Sequence, residues 1–194
     1  MNNAPSTDTS AVPGKWILVC LFLVALTTPA QAQEQHTWIL VDTRRMTLSV
    51  MRGEQVRQTY ANISIGRAGT SRDKRRHDET TPLGHFHISR IAATTPFHRF
   101  FGIDYPNMER AERALKAGVI TGQQYIRIRD ALRSHRTPPQ ETPLGGYIGI
   151  HGVGEGDPSI HEDFNWTNGC IALSNEQIDD LARWIRVGMV VVIR

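Results

Sequence analysis

Cysteine is scarce in this 194-residue chain, which holds only Cys20 and Cys170. No disulfide framework can therefore carry the fold, and stability has to come from a packed core. Long apolar runs are also missing. The stretch Trp16–Thr28 falls short of the roughly 20 apolar residues that cross a bilayer as a helix. No CxxC or H-x-x-E-H pattern is present, so nothing in the sequence spells a zinc site and no metal is expected. Internal repeats and low-complexity tracts are absent as well. Charge of one sign does not dominate: 22 Lys and Arg stand against 19 Asp and Glu, giving a net charge of +3. That mild excess reads as solubility, and no nucleic-acid partner is expected. What is there is ordinary for a globular domain, with 40% apolar and 21% charged residues.

The N-terminus reads as an export signal. Lys15 precedes the run WILVCLFLVALTT, and Ala30 and Ala32 follow in an A-x-A cleavage pattern. Residues 1–32 are thus expected to be a signal peptide cut after Ala32, with the remainder, 33–194, a single exported, periplasmic domain. The alternative is an uncleaved membrane anchor, suggested by the long and almost uncharged stretch ahead of Lys15. Cleavage removes Asp8 and Lys15 together and leaves the net charge at +3. It also removes Cys20, so that Cys170 remains as a lone thiol.

Residues 37–66 alternate apolar and polar positions and predict consecutive antiparallel strands. The polar, basic stretch 67–82, with Arg72, Lys74, Arg75 and Arg76, predicts an exposed loop. Strands are expected in GHFHISRI and FHRFFGI. From Met108 the spacing turns helical: Ala111, Ala114 and Leu115 share one face, then Tyr125, Ile128, Ala131 and Leu132 share another. This predicts a helical hairpin over about 108–135. YIGIHG predicts a strand, followed by a Gly- and Asp-rich loop and the short strand IAL. A helix capped by Ser174 or Asn175 is expected over 175–187, then a terminal strand, MVVVI. The order implies a mainly β domain, sandwich-like, with an inserted helical hairpin and one helix after Cys170.

The chemistry concentrates in IGIHGVGEGDPSIHEDFNWTNGCIALSN. His151 ends a strand and Cys170 follows Thr167-Asn168-Gly169. A histidine within hydrogen-bond reach is the usual means of turning a thiol into a thiolate near neutral pH. Gly169 permits a tight turn whose backbone amides can face a developing oxyanion. His161 in the same loop could compete as base, but beside Glu162 and Asp163 it reads as solvated. His85 and His87 share a strand face and with His98 could suggest a metal site, but their spacing matches no zinc pattern.

The HG pair, a glycine-rich loop of this length and the [ST]-x-G-C-apolar sequence together resemble the active-site signature of the L,D-transpeptidases, the YkuD-type catalytic domain. TTPLGHFHI is similar to the family's TP-x-G-x-F strand, and FHRFFGIDYPN to the F-H…Y-P-N segment of one branch. The likeness spans about residues 37–194. It implies that Cys170 attacks the carbonyl of the third residue of a peptidoglycan stem peptide and releases the terminal D-alanine. It implies His151 as the proton acceptor and donor, the Gly169 and Cys170 amides as the oxyanion hole, and the Gly152 carbonyl as orienter of the base. Thr167, Asn168, His98 and Arg99 are then expected along the substrate groove. No metal or organic cofactor is implied, and the domain is expected to act as a monomer.

Two positions depart from many members: Asn168 stands where they carry a second histidine, and Ala172 where they carry arginine. The branch reading W-T-x-G-C-I-A-L tolerates both. With Ala172 uncharged, Arg99 or Arg90 becomes the candidate partner of a substrate carboxylate. The resemblance implies transfer to an amine, forming a crosslink or attaching a protein. Two alternatives stand beside it: a murein hydrolase or amidase using the same site, and a catalytically weak peptidoglycan-binding protein.

Overall fold

The computed structural model describes residues 36–194, together with Met1, Asn2 and Ala4 at the N-terminus. The expected signal segment therefore lies outside the described residues. Among those residues no helix is long and apolar enough to cross a membrane.

Strands β1 (Thr37–Asp42), β2 (Thr47–Arg52) and β3 (Gln55–Ala61) form the antiparallel start of the domain. The predicted alternation appears in the burial of β1, where Ile39 and Val41 point into the core; β2 is buried continuously from Leu48 to Met51, and β3 is exposed except at Tyr60. The stretch 67–82 departs from expectation. It is no open loop but a strap in which β4 (Thr70–Ser71) pairs in parallel with β5 (Thr81–Pro82). Lys74 within it is only 3% exposed, its Nζ held 2.9 Å from Asp78 Oδ1. A lysine can be buried there because its charge is paired.

Strand β6 (Gly84–Thr95) is long enough to serve two partners. Its first residues, Gly84–His87, pair with β10 (Val190–Ile193), and Ile88–Thr95 pair with β7 (His98–Ile103). The eight-stranded order is β3-β2-β1-β10-β6-β7-β8-β9, where β8 is Gly149–Gly152 and β9 is Ile171–Leu173. Ser64, just beyond β3, bridges Ala172 of β9 through two backbone hydrogen bonds of 2.8 and 3.0 Å. The two ends of the order are thereby drawn together around one apolar core. Helix α4 (Asn175–Ala182) adds Ile178 and Leu181 to that core. Ser174 caps α4 with a full capping box, as its sequence suggested. The helix ends at Ala182, earlier than expected, although Trp184 and Ile185 still pack on the core.

Helices α1 (Met108–Lys116) and α2 (Gly122–Arg133) form the expected hairpin around a smaller core of Ala111, Ala114, Ile120, Ile128 and Leu144. Leu115 does not join it and is 37% exposed. Arg110 is buried in the first turn instead, its guanidinium donating to the carbonyls of Lys74 and Asp73. A short helix, α3 (Pro158–Asp163), occupies the crossover between β8 and β9 and had no periodic signal to announce it.

Tyr105 ties the strap to the hairpin loop. Its buried hydroxyl lies 2.9 Å from the Lys74 carbonyl and 3.1 Å from the Leu144 carbonyl. Tyr105→Phe leaves the packing intact and removes that donor, and is expected to cost about 1–2 kcal/mol, read as a lowered urea midpoint at constant m-value.

Candidate active site

The site is assembled by strand register. β8 and β9 run parallel, with His151 opposite Ala172. Side chains alternate along a strand, so Cys170, two residues before Ala172, shares the face of His151. Diagonal neighbours of this kind are about 7–8 Å apart at Cα, within side-chain reach of each other. Phe100 of β7 faces His151 from the other side. The three strands thus carry imidazole, thiol and aromatic wall into one cleft of about 590 Å³, lined also by Arg67, Arg90, Phe97, Tyr147, Trp166, Thr167 and Asn168.

His151 is 3% exposed and fixed from several directions. Its Nδ1 lies 2.7 Å from the Gly152 carbonyl oxygen. That carbonyl can only accept, so Nδ1 carries the proton and Nε2 is left with a lone pair. Phe97 packs at 4.6 Å between centroids, Phe100 stacks at 6.1 Å and Trp166 meets the ring edge-on at 5.7 Å. Burial lowers the His151 pKa, with the nearby His161 adding to that direction and the Gly152 carbonyl opposing it.

Cys170 sits at the end of a turn clamped by Thr167. The Thr167 hydroxyl donates to the Cys170 carbonyl at 2.7 Å and accepts from the Gly169 amide at 3.1 Å. Gly169 has φ +126°, and a Cβ there would come within 2.5 Å of the Thr80 carbonyl. Only glycine fits this position. The expectation that the Gly169 amide faces a reacting carbonyl meets a different arrangement, because that N–H is committed to Thr167. Lys74 lies directly beneath the turn: its Nζ is 3.0 Å from where a Gly169 Cβ would be.

The thiol is not the pre-formed thiolate that a Cys/His pair suggests. Burial pushes Cys170 up to about 11, against the opposing pull of the Gly149 backbone and the Lys74 charge. Its Sγ donates to the Tyr147 carbonyl at 3.5 Å. Tyr147 is 61% exposed and holds φ +58°, a conformation uncommon for an aromatic residue and one that aims this carbonyl at the thiol. The resting pair is therefore neutral thiol and neutral imidazole.

Several sequence expectations are redirected. His98 and Arg99 do not line the cleft; both turn to Asp179 of α4, His98 Nε2 at 2.9 Å and Arg99 through its Nε. They fasten β7 to the helix. Arg90 does line the cleft, its guanidinium 5.2 Å from the Phe100 centroid. Arg67 joins it and holds Asn168 Oδ1 at 2.7 Å. No local pattern marks Arg67, because its place depends on the long-range bridge between Gly66 and Thr167. His161 is buried, 7% exposed, where solvation was expected. Among the described residues no trio of His, Cys, Asp or Glu converges as a metal site; His87 pairs with Asp104 at 2.9 Å.

The family profile described as L,D-transpeptidase catalytic domain, YkuD, matches residues 36–193. The chain belongs to the L,D-transpeptidase family. Similar solved structures of this fold include the helical cell shape determining protein Pgp2 of Campylobacter jejuni, at TM-score 0.54 and 19% identity, covering 84% of this chain and 48% of that one. Bd1075 of Bdellovibrio bacteriovorus matches at TM-score 0.51 and 22% identity, covering 82% of this chain and 48% of that one. This L,D-transpeptidase domain thus spans about half the length of either protein. No curated relative matches it in sequence.

Alkylation of Cys170 in the free L,D-transpeptidase is expected to be slow at neutral pH. It should climb toward a midpoint near 11, well above the ordinary thiol value of about 8.5. The pH dependence of iodoacetamide labelling, followed by mass spectrometry, measures this. A midpoint at or below that ordinary value would show the neutral-pair description to be wrong.

Proposed function

We propose that the protein is an exported, periplasmic cysteine acyltransferase that acts on tetrapeptide stems of peptidoglycan through a thioester at Cys170. The observation that carries the reading is the shared face of Cys170 and His151 on parallel neighbouring strands, with His151 Nδ1 fixed on the Gly152 carbonyl. That hydrogen bond leaves His151 Nε2 as the ring nitrogen with a free lone pair.

With the thiol pushed above its ordinary range, the thiolate is the minor form at neutral pH. Attack from a standing thiolate is therefore a minor route. His151 acts as general base during the attack: Nε2 takes the Sγ proton as the S–C bond forms at the carbonyl of the third stem residue. General-base assistance of this kind contributes about 10²–10⁴-fold. The proton passes to the nitrogen of the departing D-alanine as the C–N bond breaks. In the second half an acceptor amine, on another stem or on a wall-attached protein, attacks the thioester. His151 takes the amine proton and returns it to sulfur as the S–C bond breaks.

The Cys170 amide at the head of β9 is the oxyanion donor in this reading, since the Gly169 amide is engaged by Thr167. Arg90 and Arg67, both lining the cleft, take the substrate carboxylate in place of the arginine that Ala172 lacks. Asn168, held by Arg67, carries that guanidinium toward the bound stem. No metal or organic cofactor enters the scheme.

The test is mass spectrometry of muropeptides after incubation of purified protein with tetrapeptide murein that carries covalently attached protein. Loss of D-alanine with new dimers or new protein–stem links is expected. Cys170→Ala should abolish turnover while the fold, followed by circular dichroism, is retained. His151→Ala should lower kcat/KM by at least about 10²-fold. Shortened stems or released protein without dimers would move the acceptor from an amine to water. Wild-type turnover in Cys170→Ala would sink the mechanism.

A further inference from the structure

His161 has no role in the scheme above, yet it is among the few buried polar residues of the domain. It projects from α3, which Asp157 caps and Pro158 opens. The Trp166 indole N–H donates to His161 Nδ1 at 3.3 Å. An indole nitrogen can only donate, so Nδ1 must be deprotonated and the imidazole proton must sit on Nε2. Nε2 is itself buried, and among the described residues no partner meets full hydrogen-bond geometry with it, the Asn62 carbonyl being its neighbour. The same indole ring meets His151 edge-on at 5.7 Å. Its backbone is anchored separately, Trp166 N donating to Ser64 Oγ at 3.1 Å. The one hydrogen bond of the indole among the described residues is the one to His161.

The geometry points to His161 as a positioning residue for His151: its bare Nδ1 holds the Trp166 ring against the imidazole of the base, and one added proton releases that ring. The inference rests on His151 being the working base. Protonation of Nδ1 would set two donors, imidazolium and indole N–H, against each other and would place a positive charge beside His151. The groups facing His161 are few. Glu162 on its own helix and the Asn62 carbonyl beyond β3 favour the charged form, and His151 stands across the indole. Burial prevails and lowers its pKa. His161 is thus neutral at neutral pH and takes up its proton in acid, below the ordinary imidazole value of about 6.5.

The consequence is a loss of activity in acid that depends on two protons, one on His151 and one on His161. A ring displacement of about 1 Å at a catalytic base is enough to cost about 10²-fold. His161→Asn keeps an acceptor near the place of Nδ1 and cannot titrate. His161→Phe fills the space without an acceptor.

The experiment follows the Trp166 indole ¹H–¹⁵N resonance of the purified protein from about pH 8 to about pH 4, beside kcat/KM on tetrapeptide murein. The indole resonance is expected to titrate in the wild type and to stay fixed in His161→Asn. The acid limb of log kcat/KM should fall with slope 2 in the wild type and slope 1 in His161→Asn. At pH 8, His161→Phe should lose about tenfold in kcat with little change in KM, and His161→Asn should recover most of that loss. An indole resonance indifferent to pH, an acid limb of slope 1 in the wild type, or the same titration in His161→Asn overturns the proposal. An intact indole titration in a protein without turnover on murein overturns the functional reading and leaves the coupling of His161 to Trp166 standing.

Discussion

The site depends on one pairing: β8 beside β9, parallel in a domain whose main strands otherwise pair mostly antiparallel. A parallel pair cannot be closed by a tight turn and needs a crossover of a dozen or more residues. Here the crossover runs from Val153 to Cys170, and its demands explain most of what surrounds the cleft. It brings the chain back to the starting end of β8, so that the residue entering β9 stands beside Gly149 and diagonally from His151. It carries α3, and with it His161. Its last residues are laced to the stretch after β3, where the Arg67 amide donates to the Thr167 carbonyl and the Thr167 amide to the Ile65 carbonyl. A one-residue slip of β9 would turn Cys170 to the opposite face. Two hydrogen bonds between Ser64 and Ala172 hold the register against such a slip.

The electrostatics of the cleft follow from its dryness. Burial disfavours charge on both partners, raising the thiol and lowering the imidazole. Only Lys74, beneath the Gly169 turn, pulls the other way on sulfur by its charge, and Asp78 neutralises much of it. The aromatic cage of Phe97, Phe100 and Trp166 thus has two effects at once: it orients the base and keeps it uncharged. In the proposed reaction Cys170 becomes charged only while it reacts.

The fold was largely legible because its signals are local. Alternating apolar residues mark β1, helical spacing marks α1 and α2, and the Ser174–Gln177 capping box marks the start of α4. The meeting of Cys170 and His151 in one cleft was legible because a cysteine after Asn-Gly and a histidine before glycine form an unusual local pattern. What escaped is what depends on distant partners. Asp179 claims His98 and Arg99 from a helix 80 residues away in sequence. Asp78 makes the burial of Lys74 tolerable, and Arg110 turns inward because the strap offers it carbonyls. Thr167 takes up the Gly169 amide by a bond only two residues long, yet its hydroxyl could have served the cleft instead. Composition does not reveal which of two acceptors an amide will choose.

The bridge from Ser64 to Ala172 also bears on how copies of this protein meet. A sheet edge with unpaired amides and carbonyls is a template for another chain. At β9 that edge is covered by the protein's own segment 64–67, which occupies the positions an incoming strand would need. At the other end of the order β3 pairs only with β2 among the described residues, but Gln55, Arg57, Gln58 and Thr59 are polar or charged and Val56 is its one large exposed apolar side chain. A register shift between Val50 and Met51 further bends its pairing with β2. The same contact that steadies the approach to Cys170 thus covers an edge on which another copy could otherwise pair.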